Sequence, residues 1–233
     1  MKFSPPLLET RLVKRYKRFL ADVELPDGEI ITVHCANSGS MLGLTEPGNR
    51  AWISDSENPK RKLRYSLEML EVDGVMVGIN TNHPNKLARE AIEAGKIPAL
   101  AEFDNLRTEV KYGKNSRIDI LLEVDKGPNI FVEVKNVHYM RNKGIHEFPD
   151  SVTSRGAKHL FELANEVKTG NRAAMLYIIQ RNDGDTFRLA KDLDPQYADA
   201  FDKALQAGVE TYALRCDVSS DGIEAMDLIT VEK

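Results

Sequence analysis

Between Arg107 and Tyr139, apolar and polar positions alternate with a period of two. The pattern is interrupted by Gly113-Lys114-Asn115-Ser116 and by Asp125-Lys126-Gly127-Pro128-Asn129. Short alternating runs bounded by such turn residues predict three strands of an antiparallel meander. In the second run Ile118, Ile120, Leu122 and Val124 alternate with Arg117, Asp119, Leu121 and Glu123; in the third, Ile130, Val132 and Val134 alternate with Phe131, Glu133 and Lys135. Period two assigns Asp119 to one face of its strand, and Glu133 with Lys135 to one face of the next. If the aliphatic faces bury together, two carboxylates and an ammonium emerge on the opposite face, at the centre of a sheet.

Upstream, residues 7–80 form short strand-like segments at 7–13, 17–25, 30–35, 51–55, 64–72 and 75–80. Pro26-Asp27-Gly28 and Asp73-Gly74 are turns between them, and no long helical pattern intervenes. These features predict a small closed β-barrel, best described as OB-like. At Asn80 the texture changes. Pro84 opens a helix over 84–96, with Leu87, Ala88, Ala91 and Ile92 on one face. After the meander come a helix over 153–168, an apolar strand over 173–179, a helix over 194–208, and strands at 209–214 and 226–231. The order from residue 84 is α-β-β-β-α-β-α-β, whose first six elements match the αβββαβ core of the restriction-endonuclease-like fold. The fold class expected is α+β, with an OB-like barrel at 1–80 and an αβββαβ domain at 81–233.

Asp119 and Glu133 offer hard oxygen ligands suited to Mg²⁺ or Mn²⁺, and Lys135 a charge that positions water or stabilises a transition state. The spacing D-x13-E-x-K resembles that of the PD-(D/E)xK nuclease superfamily. The tripeptide alone carries little: Glu109–Lys111, Glu133–Lys135 and Glu166–Lys168 all match it. Only the middle one has strand context with an Asp in a neighbouring strand. Spacing by itself leaves an ordinary Glu–Lys pair on a sheet face equally open; the topology tips the balance toward a metal site. Glu90, on the first helix, is a candidate further carboxylate of the catalytic group, or a solvated helix residue. Arg155, Lys158 and His159 lie one turn apart on the second helix and suit phosphate contacts, or coat a polar face. Gln180 and Arg181, ending the apolar strand, are weaker candidates.

With 42% hydrophobic and 29% charged residues the composition is that of a soluble globular protein, and no apolar run reaches the length of a membrane span. The first residues lack the apolar core of a signal peptide. Cys35 and Cys216 have no metal-type spacing, and a cytoplasmic setting is expected. The net charge of −4 does not announce a nucleic-acid partner, but its distribution changes the picture. Arg11, Lys14, Arg15, Lys17 and Arg18 cluster tightly, and Lys60, Arg61, Lys62 and Arg64 form a second group. Such patches attract polyanions even on an acidic molecule, although a solvated charged face is the commoner meaning of any single run. Tyr16, Phe19, Trp52 and Tyr65 lie near these groups and are candidate base-stacking platforms or core residues. The loop from His34 to Met41 reads first as a plain connection, the alternative being that its backbone amides meet phosphate.

The chain as a whole resembles the bacterial and archaeal sugar fermentation stimulation protein family. The resemblance rests on FSPPL at 3–7, RYKRFLADV at 15–23, HCANSGSM at 34–41, EVKYG at 109–113, SRID at 116–119, EVK at 133–135 and FPDSVTSRGAKHL at 148–160. It implies an N-terminal OB-like domain, a nuclease-like C-terminal domain, sequence-nonspecific DNA binding and a regulatory link to maltose metabolism. It places Asp119, Glu133 and Lys135 on nuclease-type positions. Asn37-Ser38-Gly39 departs mildly from the family's Asn-Thr-Gly. The expected function is therefore a DNA-binding protein with a divalent-metal phosphodiesterase site; the alternative is a catalytically silent DNA-binding regulator on the same scaffold. RNA as a partner, and the oligomeric state, are left open.

Overall fold

The computed structural model of the chain describes residues 1–113 and 116–232, so the first expected turn of the meander lies partly outside the described residues. The N-terminal strands are β1 (Leu8–Tyr16), β2 (Leu20–Glu24), β3 (Ile30–Cys35), β4 (Arg50–Asp55), β5 (Tyr65–Val72) and β6 (Val75–Gly78). They pair in the order β3-β2-β1-β4-β5-β6, and a parallel bridge from His34–Cys35 to Ser66–Leu67 joins β3 to β5. That bridge closes a five-stranded barrel, as expected for an OB-like domain. Its interior is aliphatic, built from Leu12, Val23, Val33, Ile53, Leu67, Leu70 and Val77.

Helix α1 (Pro84–Glu93) follows, and then β7 (Asn105–Tyr112), β8 (Ser116–Glu123) and β9 (Ile130–Val137). Two short strands, β10 (Tyr139–Asn142) and β11 (Gly144–Phe148), precede α2 (Ser154–Lys168) and β12 (Arg172–Ile179). The chain ends with β13 (Gly184–Leu189), α3 (Pro195–Gln206), β14 (Glu210–Ser219), β15 (Gly222–Leu228) and β16 (Thr230–Val231). The main sheet has the order β15-β14-β12-β9-β8-β7, parallel across β9, β12 and β14 and antiparallel at both ends. Helices α2 and α3 start where side chains supply the missing acceptors. Thr153 accepts from Gly156 N–H at 3.1 Å, and Asp194 from Tyr197 N–H at 2.9 Å, with Pro195 in the first turn.

Both faces of the main sheet are covered, which explains why β12 reads as an unbroken apolar run. Ala174, Leu176 and Ile178 pack toward α1 and toward Trp52 and Met69 of the barrel. Ala173, Met175, Tyr177 and Ile179 pack toward α2 and α3. Trp52 is thus core, and it joins the two halves of the molecule. Gly78 completes the junction: a Cβ there would fall 2.6 Å from Oε1 of the fully buried Gln180. A second sheet, β10-β11-β13-β16, was not expected from the sequence. Among the described residues no helix is long and apolar enough to cross a membrane.

Candidate metal and nucleic-acid cleft

Where the barrel meets the main sheet, a cleft of about 1300 Å³ opens. Asp119, Glu133 and Lys135 all line it, together with Asn85, Glu109, Arg117, His138, Asp150, Arg155, Lys158 and His159 from the C-terminal half and Arg15 and Arg18 from the barrel. The meander explains how the three side chains meet. Strands β8 and β9 pair only from Ile120–Val132 to Leu122–Ile130. Beyond that point β8 departs, and Asp119 inserts its carboxylate into the gap. Its Oδ2 accepts from Val134 N–H at 2.8 Å, and its Oδ1 from Asn85 Nδ2 at 2.9 Å.

The period-two reading therefore needs one correction. Ile120 and Leu122 pack toward α1, but Ile118, expected on the same face, packs with α2. Opposite them, Leu106 packs toward α1 and Val110 toward α2. The β7–β8 hairpin switches faces at the level of Glu109 and Asp119. Glu109, a non-glycine residue, sits there with φ +56°.

Glu133 is only 2% exposed. Its Oε1 accepts from Lys135 Nζ at 2.5 Å and from His159 Nδ1. Arg155 Nε approaches His159 Nε2 at 3.4 Å, so the ring is held between Arg155 and the Glu133 carboxylate. Glu133 Oε2 is buried without a hydrogen-bond partner. Burial pushes the Glu133 carboxyl up, but the charge of Lys135 and the hydrogen bond from His159 outweigh it, and the group stays below its ordinary range. Asp119 moves the other way, raised by burial and then by the Glu133 charge, with Lys135 opposing. Two neighbouring carboxylates are driven apart in acidity, as in sites that divide ligand and proton-handling roles.

Glu90 is not part of this group. Its carboxylate pairs with the Met1 amine at 2.9 Å and lines a separate, smaller cavity. Asn85, five residues earlier, is the α1 residue that reaches Asp119. The basic residues divide as well. Arg18, Arg155 and Lys158 line the cleft. Arg15 lines it too, but its guanidinium donates to the carbonyls of Arg18, Asn37, Gly39 and Ser40, at 2.8 to 3.3 Å, and so shapes the loop. Lys14 pairs with Asp22 at 3.4 Å, Arg11 donates to Gly48 O at 3.3 Å, and Arg61 donates to Ser66 Oγ at 3.3 Å. Those three, with Lys17 and Lys62, lie outside the cleft lining. Phe19 is 48% exposed beside Arg18 and stacks on His34 at 13°. Gln180 donates to Asn136 Oδ1 at 2.6 Å, and Arg181 pairs with Asp183 at 2.6 Å; neither lines the cleft.

Asp150 went unremarked in the sequence. Its Oδ2 accepts from Met41 N–H at 2.8 Å and lies 3.3 Å from His138 Nε2, while Ser40 Oγ donates to its carbonyl at 2.5 Å. A Cβ on Gly39 would fall 2.6 Å from the same Oδ2. Burial alone would raise the Asp150 carboxyl; the His138, Met41 and Ser40 contacts override it and hold it at about 2. Asp150 thus fastens the loop of the barrel to the wall of the cleft.

The donor set suits a hard divalent cation: an orphaned, buried carboxylate oxygen on Glu133 beside Asp119. Among the described residues, no three His, Cys, Asp or Glu side chains are already gathered about one point.

Comparison with known proteins bears on the whole chain. Residues 13–79 match the family model described as SfsA N-terminal OB domain, and residues 82–222 that described as Sugar fermentation stimulation protein RE domain. The chain belongs to the sugar fermentation stimulation protein family. A family homolog from Maricaulis maris is 56% identical, over 96% of this chain and 95% of its own. One from Agrobacterium fabrum is 52% identical, over 100% and 98%. The solved structure of the Pyrococcus furiosus family member, described as in complex with Ca²⁺, is 29% identical, covers 100% of this chain and 98% of its own, and superposes with a TM-score of 0.89.

Proposed function

We propose that the chain binds DNA along the cleft and hydrolyses its phosphodiester bonds with Mg²⁺ or Mn²⁺ held by Asp119 and Glu133. The observation that carries this reading is Glu133 Oε2, buried, unpartnered and beside Asp119 in the one cleft that also gathers Arg18, Arg117, Arg155 and Lys158. Six cationic side chains line the cleft against four acidic ones, so it draws phosphate although the whole chain carries −4. When bound, the cation would lower the pKa of a water and offset charge developing on phosphorus. Lys135 places an ammonium beside the same phosphate, where it steadies that charge. His159 and Lys135 keep Glu133 ionised, and Arg155 and Arg18 grip phosphates on either side. The Ca²⁺ in the Pyrococcus furiosus relative supports a divalent cation of oxygen-ligand type. Residues 1–80 serve as the nucleic-acid-binding barrel and residues 81–233 as the nuclease-like domain, in the cytoplasm, where the buried free Cys35 and Cys216 stay reduced.

A second reading, a DNA-binding regulator of sugar metabolism without catalysis, is favoured by two observations. Lys135 and His159 already satisfy Glu133 Oε1, and no three-ligand group is preassembled among the described residues. Incubation of single- and double-stranded DNA with Mn²⁺, for the wild type and Asp119→Asn, separates the two. Degradation that the variant loses supports the enzyme. DNA left intact by both proteins, but bound by both, supports the regulator.

A further inference from the structure

We infer that Glu109 is a third carboxylate of the cation site, closing onto an ion held between Asp119 and Glu133. The inference rests on the reading that the cleft binds a divalent cation.

Four observations lead to Glu109. The β7–β8 register pairs Thr108 with Ile120 and Val110 with Ile118, which sets Glu109 opposite Asp119 with no ladder pair between them. Its φ of +56° is in the left-handed region, where a side chain with a Cβ is strained and where Glu lacks the local hydrogen bonds that make Asn and Asp tolerable. Such strain persists where the position has work for that side chain. The third observation is electrostatic. Each other carboxylate lining the cleft has its own compensation: Asp119 from Asn85 and Val134, Glu133 from Lys135 and His159, Asp150 from Met41 and His138. Glu109 lines the cleft exposed and, among the described residues, with no such partner. In a groove meant for phosphate, a bare carboxylate repels the ligand unless a cation lies between them. The fourth is independent of Glu109: Oε2 of Glu133, in a residue 2% exposed, is a buried acceptor without a hydrogen-bond partner in this cleft.

Like charges repel, and a cation bound between them is what would draw the three carboxylates together. Asp119 and Glu133 are fixed by their hydrogen bonds. Glu109, exposed and untethered, has the rotamer freedom to complete the set. Ligand charge count tunes the affinity of oxygen sites, so its loss is felt in binding itself and not only in turnover.

Calorimetric titration of Mn²⁺ into the full chain, without nucleic acid, tests this with Glu109→Gln, Glu109→Gly and Asp119→Asn beside the wild type. Both Glu109 variants are expected to bind Mn²⁺ about tenfold more weakly or worse. Glu109→Gly is expected to melt no lower than the wild type without metal, because glycine takes a left-handed φ without penalty; that separates a lost ligand from a lost fold. If both Glu109 variants bind Mn²⁺ as the wild type does while Asp119→Asn does not, Glu109 is no ligand and the metal reading survives. If the wild type takes up no Mn²⁺, or Asp119→Asn binds it equally well, the metal reading fails and the role of Glu109 falls with it.

Discussion

Replacing Asp150 by Asn tests the link between barrel and cleft at a single atom. Asn is nearly isosteric with a protonated Asp, so the variant removes the charge and keeps the shape. The carboxyl is held at about 2 against an ordinary 3.8, a difference of nearly two pH units, and at 1.36 kcal/mol per unit this is about 2 kcal/mol of folding stability. The side chain is 14% exposed, so solvent screening takes little of that away. The sign follows from the depressed value. The stabilisation is complete above about pH 4, where the unfolded carboxyl is ionised, and is lost as pH falls through 2. Urea unfolding at a series of pH values should therefore show wild type and Asp150→Asn separated by about 2 kcal/mol at pH 7, which in thermal terms is about 4–8 °C for a chain of this size. The gap should close between pH 4 and pH 2, as the wild type acquires the proton that the amide imitates. A gap that keeps its size down to pH 2, or none at pH 7, would refute the account of Asp150 as the charged fastening of the 37–41 loop.

Three further outcomes are expected. Phe19→Ala should weaken binding of oligothymidine by about 1–3 kcal/mol in fluorescence anisotropy, with Phe19→Trp retaining it, because one stacked base is worth that much; equal affinity for all three proteins would remove Phe19 from the interface. Arg155→Ala should lower the slope of log affinity against log salt for single strands by about 0.7, the contribution of one phosphate contact; an unchanged slope would place Arg155 off the nucleic-acid path. Glu90→Gln should leave the Mn²⁺ affinity as it is, since its carboxylate pairs with the Met1 amine outside the cleft.

What the sequence made legible follows from which interactions are local. The apolar run of β12 and the stripes of α2 and α3 were readable because each buries a face against a large core. The second sheet was not. Its β11 pairs in parallel with β13, forty residues onward, and buries His146 and Glu147, so its polar residues hide the strand. Glu147 is tolerable there only because Arg141 and Arg188 reach it, at 2.7 and 3.0 Å. Glu90 fails as a cleft residue for a geometric reason available in principle from the helix alone. Five residues of α-helix turn about 140°, so Asn85 and Glu90 cannot face the same way. Spacing and topology put Asp119, Glu133 and Lys135 together, and the three do line one cleft. Asp150 carries no such signature, because its partners Met41 and His138 come from distant segments.

The β7 strand ends the main sheet, and among the described residues its outer backbone groups face no neighbour in the sheet order. Such a margin invites a strand from another molecule to dock and propagate. Here Arg107, Glu109 and Lys111 line it with alternating charge, and the left-handed turn of the backbone at Glu109 breaks its hydrogen-bonding rhythm midway. An intruding strand could match only a few residues on either side of that kink before falling out of step. The same bend that sets Glu109 in the lining of the cleft thereby also interrupts the free margin of the sheet.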